Sequence, residues 1–106
     1  MKFLFVSIFS LMCISCDRHE KCYKSAVAEI AIIKSNPDDH AAWSRLISKY
    51  NCLEGNAGYT EFVLIELSEL TKKGIVTQIS IGRIGNLTKE DRDTVQSMYR
   101  MSLSSP

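Results

Sequence analysis

Three features of the chain predict an all-α fold, a small bundle of four to five helices that begins with a disulfide-stapled helical hairpin. Apolar residues recur at three- and four-residue steps over most of the length beyond residue 20. Helix-start and helix-stop residues punctuate those stretches at Asn36-Pro37-Asp38-Asp39, Lys72-Lys73-Gly74 and Thr88-Lys89-Glu90-Asp91. Cys22 and Cys52 lie fifteen residues before and after Pro37, where an antiparallel hairpin would join them at its open end.

With 106 residues, 45% of them hydrophobic and 24% charged, the chain can bury one core and is too short for two domains. The same apolar fraction excludes a disordered chain. Thirteen basic residues against twelve acidic ones argue against a nucleic-acid partner, because phosphate recognition leaves a clear basic excess.

Residues 1–15 read as a signal peptide and 16–106 as a single helical domain. Lys2 precedes the uncharged run Phe3–Ile14, about twelve residues long, which suits a signal-peptide core and falls short of the ~20 needed to span a bilayer. Cys13-Ile14-Ser15-Cys16, followed by charged Asp17-Arg18-His19-Glu20-Lys21, resembles the lipobox of bacterial lipoproteins. In that family a small residue precedes a cysteine that is diacylated and becomes the mature N-terminus. The resemblance implies lipidation of Cys16, palmitate-type acyl chains and contact with the membrane through the lipid anchor. Cys13 stands where the family usually has Leu, so cleavage after Ser15 without lipidation and an uncleaved anchor stay open as alternatives. Asp17 is similar to the inner-membrane retention signal of enteric-type lipoproteins. It implies the periplasmic face of the inner membrane, with the outer membrane or the soluble periplasm as alternatives. Cleavage removes Lys2 and leaves twelve residues of each sign, with no basic membrane-binding patch. Two acyl chains would hold the protein firmly, where one binds reversibly.

The first helix is expected over Glu20–Ser35, with Tyr23, Ala26, Val27, Ile30 and Ile33 on one face. Asn36 is the expected cap and Pro37 the first residue of a second helix that runs to about Tyr50. Ala42, Trp43, Leu46, Ile47 and Tyr50 form its inner face. The pattern from Asn36-Pro37 through Ala42-Trp43 and Leu46 to Tyr50 also resembles the first helix of a tetratricopeptide unit. No second copy follows at the 34-residue spacing, so that resemblance implies a helix hairpin and not a repeat array. Secretion would carry Cys22 and Cys52 into an oxidising compartment, and closing their loop should contribute roughly 3–4 kcal/mol. Two independent buried cysteines are the alternative.

A Gly-rich joint, Glu54–Gly58, leads into a third helix over Tyr59–Lys73. Phe62, Val63, Leu64, Ile65, Leu67 and Leu70 mark it as the most buried one, and Lys72-Lys73-Gly74 ends it. Residues 75–85 are rich in β-branched side chains and read as helix or strand. A lone strand has no partner in this chain, which favours a short fourth helix, with Gly82 and Gly85 allowing close backbone approach. Thr88 to Asp91 is similar to a capping box and opens a last helix with Val95, Met98, Tyr99 and Met101 inward. Residues 102–106 are expected to fray.

The chemistry-bearing residues are few. His19 lies between Cys16 and Cys22 with C-x2-H-x2-C spacing, but lipidation of Cys16 removes one ligand, and no metal or other cofactor is expected. His40 reads as a solvated surface residue, and Asp38 and Asp39 as helix-capping carboxylates. No H-E-x-x-H, G-x-S-x-G, phosphate loop or C-x-x-C-H is present, so no enzyme is expected. Of Glu61, Glu66 and Glu69, Glu66 lies nearest the apolar stripe and is expected to pair with a cation. Trp43 and Tyr50 read as core. Tyr59 and Glu61 are the candidate partner-binding residues.

Ile79-Ser80-Ile81-Gly82-Arg83-Ile84-Gly85, an acidic turn and a helix ending in Met98-Tyr99 are similar to the C-terminal part of small helical type VI secretion immunity proteins. The resemblance implies a protein partner, a toxic effector whose active site is covered, and hence an immunity or inhibitor lipoprotein. The alternative is a structural or assembly lipoprotein of an envelope complex, tether- or pilotin-like. A third reading is a surface-exclusion lipoprotein.

Overall fold

No glycine or proline interrupts residues 2–35, and the chain there is one helix, α1 (Lys2–Ser35), rather than a helix starting at Glu20. The computed structural model describes the backbone of residues 2–105 and the side chains of residues 18–105. The signal peptide at 1–15 and lipidation at Cys16 therefore concern side chains outside the described residues. Four helices follow: α2 (His40–Cys52), α3 (Ala57–Lys72), α4 (Gln78–Gly82) and α5 (Lys89–Ser104). The fold is all-α, and α4 settles the ambiguous stretch as helix.

The α1–α2 turn departs from expectation in its register. The cap is Asp39, not Asn36, and Pro37 lies in the turn, ahead of the helix. Asp39 Oδ1 accepts from the Ala42 amide at 3.0 Å, and the Asp39 amide donates to the Asn36 carbonyl at 3.1 Å. Asn36 to Asp39 thus close a turn before the helix can start. The Trp43 indole Nε1 donates to the Pro37 carbonyl at 2.8 Å and ties the turn to the core. At the open end of the hairpin, Cys22 and Cys52 form the expected disulfide, their Cα atoms 6.2 Å apart. Between these two ends Arg45 Nε bridges both oxygens of Glu29, at 2.9 and 2.8 Å.

Four helices close a ring: α1 packs on α2 and α3, and α5 packs on α3 and α2. Ala26, Ile30 and Ile33 of α1 meet Ala42, Trp43, Leu46 and Ile47 of α2, Val63, Leu67 and Leu70 of α3, and Val95 and Met98 of α5. Among the described residues α3 carries more buried side chains than any other helix, as expected, but its neighbours α1 and α5 leave one side open, so its apolar run is not wholly enclosed. Val63, Leu67 and Leu70 are buried, Leu64 and Ile65 half-buried, and Phe62 is 53% exposed. The helix begins two residues earlier than expected, where Asn56 Oδ1 caps it by accepting from the Tyr59 amide at 3.1 Å. It ends where Gly74 takes a φ of 75°, a value that glycine adopts without strain.

The fourth helix starts with a reciprocal capping box. The Ser80 amide donates to Thr77 Oγ1 at 3.1 Å, and the Thr77 amide donates to Ser80 Oγ at 2.9 Å. The close approach expected at Gly82 and Gly85 does not occur, since a β-carbon at either would meet nothing within 4 Å. Ile81 and Ile84 bury this segment instead, and Arg92 of α5 holds it by donating Nη2 to the Ile84 carbonyl at 2.8 Å. In α5 the Thr88 hydroxyl accepts from the Asp91 amide, which gives the expected N-cap but only one half of a capping box. Its end departs from expectation. Met101 is 40% exposed, while Ser102 is fully buried and the helix runs on to Ser104. Ser102 continues the stripe of Val95 and Met98 at helical spacing, and its hydroxyl is satisfied by the Tyr99 carbonyl at 2.7 Å.

Candidate functional site

Two successive reversals of the chain make α1 and α3 run parallel, and their residue numbers rise together along a shared outer groove. At the stapled end the Tyr23 ring lies 5.1 Å from that of Tyr59 and 6.2 Å from that of Phe62. Further along, the groove holds about 260 Å³ between Val27, Ile30 and Ala31 of α1 and Leu70 of α3. Glu66 and Glu69 line its α3 side, and Lys34 and Lys73 line its far end. Ile30 and Leu70 are buried floor, whereas all four charged side chains are exposed rim. From Tyr23 to Lys34 the order is aromatic, acidic, basic over roughly 16 Å of helix.

Among the described residues Glu66 makes no ion pair, contrary to expectation; Lys34 and Lys73 stand on the same rim at the far end of the groove. The sequence signal for this surface is the spacing Phe62, Glu66, Glu69, Lys73, four positions on one face of a helix otherwise rich in apolar residues. Sequence reasoning marked Glu66 and overlooked Lys34 and Lys73, because no local pattern says that two separate helices will lie side by side.

The two candidate partner-binding residues do not form one site. Tyr59 is half-buried against Tyr23 on the α1 side. Glu61, two residues on, is exposed on the α5 side and lines a second, shallow depression of about 400 Å³ with Arg100, Met101, Ser104 and Ser105. Successive helical positions turn by about 100°, so residues two apart point to nearly opposite sides.

His19 lies with its Nδ1 3.3 Å from the side-chain nitrogen of Asn56, the residue that caps α3. Since Cys22 is bonded to Cys52, the Cys16–His19–Cys22 spacing supplies no three-ligand set. Among the described residues no group of three His, Cys, Asp or Glu side chains could hold a metal ion. His40 is exposed at the start of α2 and makes no site.

Beside the disulfide, Tyr50, Asn51, Glu54, Asn56 and Thr60 surround an open depression of about 550 Å³. Tyr50 is half-buried here, and burial raises its phenol above the ordinary value of 10.0. The folded state therefore favours the neutral phenol, and this contribution is intact below about pH 10 and lost as pH rises through the folded value. Tyr50→Phe should remove that part of the alkaline destabilisation. Thermal melts at about pH 8 and pH 11 should show a smaller fall in Tm for the variant than for the parent. Equal falls would show that Tyr50 ionisation is not coupled to folding.

No protein-family model, curated protein or solved structure matches this chain.

Proposed function

We propose that this chain is a lipid-anchored envelope protein, not an enzyme, that binds a toxic effector protein and neutralises it. The observation that carries the reading is the α1–α3 groove. A buried apolar floor within an exposed charged rim is the anatomy of a protein interface, and Ile30 and Leu70 within Glu66, Glu69, Lys34 and Lys73 have that form. The disulfide supports an oxidising compartment, as in the periplasm. Membrane contact through acylated Cys16 rests on the lipobox-like residues 13–16. Among the described residues no helix is long and apolar enough to cross a membrane.

The test is a deletion strain challenged by sibling cells that deliver their effectors. The deletion should be sensitised, and the wild-type gene should restore protection. Reversing two rim charges together, Glu66→Lys with Glu69→Lys, should reduce protection about ten-fold or more, with unchanged helical circular dichroism. A deletion strain no more sensitive than its parent would sink the reading, and an envelope-assembly defect in its place would establish the assembly alternative.

A further inference from the structure

The ring cluster of Tyr23, Tyr59 and Phe62 sits at the end of the molecule nearest Cys16. Because α1 is continuous through both positions, the seven residues from Cys16 to Tyr23 are a helical rise of roughly 10 Å. The disulfide at Cys22 and the His19–Asn56 contact hold the α2–α3 joint at the same level. An acyl chain on Cys16 would therefore bring this end of the bundle close to the bilayer surface.

We propose that Tyr23, Tyr59 and Phe62 form a second membrane contact, which seats the stapled end of the bundle on the lipid headgroups. The proposal rests on the lipid anchor of the function proposed above and assigns it an orientation. Tyrosine and phenylalanine suit that place: each tyrosine has an apolar body and a polar tip, and Phe62 is a large apolar ring already 53% exposed. The headgroup layer on each side of a bilayer is about 5–7 Å deep. An upright α1 would hold the rings just above it, so the bundle leans toward its α3 side to bring them in.

Charge does not drive this contact. Arg18, Lys21 and Lys24 are exposed at this end together with Glu20 and Glu54, Lys24 pairs with Glu20 at 3.2 Å, and Asp17 in the sequence brings the acids to three against three bases. The seat is therefore insensitive to anionic lipid. It occupies the stapled end of the α1–α3 groove, apart from the protein-binding stretch, whose charged rim begins one turn beyond Phe62.

The experiment uses the full chain, expressed with its own leader and purified from membranes, with acylation checked by intact mass. The protein and its Phe62→Trp variant are placed in phosphatidylcholine vesicles brominated near the top of the acyl chains. Trp43, fully enclosed in the core, is the internal reference. In acylated protein the emission added by the Phe62→Trp substitution should fall by about half and shift to the blue, equally with and without phosphatidylglycerol, while Trp43 emission stays unchanged. Acylated protein whose added emission is neither quenched nor shifted would overturn the seat and leave the anchor standing. A blue shift without quenching would also overturn it, by showing a protein or a second copy over the rings. An unacylated mass would overturn the anchor, and the seat with it.

Discussion

Trp43→Ala should lower the stability of the domain by about 3–5 kcal/mol, the range for deleting a buried aromatic. Trp43 is 0% exposed and heads the large side chains of the core, the one cluster that joins α1, α2, α3 and α5. The substitution opens a cavity at the hairpin and also strips the Pro37 carbonyl of its indole donor. For a domain of this size the melting temperature should fall by more than about 12 °C. Trp43→Phe should cost less, because it keeps most of the volume and loses only the indole and its hydrogen bond. Urea melts followed by circular dichroism would measure both. A loss below about 1 kcal/mol for the alanine variant would contradict a core role for this residue.

Removing the staple should have an effect of similar size by a different route. The Cys22–Cys52 link closes a loop of sequence separation 30, and in the chain-entropy model that constraint contributes about 3–4 kcal/mol. The effect acts on the unfolded chain, so the folded helices need not change. Cys22→Ser combined with Cys52→Ser should keep its helical circular dichroism in buffer and lose midpoint in urea. Changing both cysteines avoids leaving one thiol unpaired. If the oxidised parent and the double variant melt together, the staple contributes nothing and the hairpin stands on its packing alone. Both effects are a large fraction of the roughly 5–15 kcal/mol typical of a small domain.

The helices and their core faces were legible in the sequence because local rules decide them. Ile30 and Ile33 repeat at helical spacing, Thr88 and Gly74 mark a start and a stop, and Cys22 and Cys52 are placed symmetrically about the turn. The misreadings share one cause. Asn36 and Asp39 are both good caps, and the choice fell to Asp39 because its side chain reaches the Ala42 amide once the turn has closed. Phe62 and Met101 continue apolar runs and are nonetheless exposed, since what covers a helix face depends on which neighbours arrive. Ser102 shows the reverse, a polar residue buried because its hydroxyl finds a carbonyl one turn back in its own helix.

The candidate site was legible only in fragments. Glu66 stood out from its apolar neighbours, but Tyr59 and Glu61, two residues apart in the sequence, are separated by the turn of the helix. The sequence by itself determined an all-α chain, the extent of its helices beyond residue 20 to within a few residues, the hairpin and its disulfide. These follow from spacing, capping and the pairing of two thiols, all of which act over short range or through a single closed loop. Only the tertiary structure decided that α1 and α3 lie parallel, and with that the groove between Lys34, Lys73, Glu66 and Glu69 and the meeting of Tyr23 with Tyr59 and Phe62. Those residues are some forty positions apart in the chain. Their approach is set by how the helices bury their apolar faces together, a property of the whole core that no local pattern encodes.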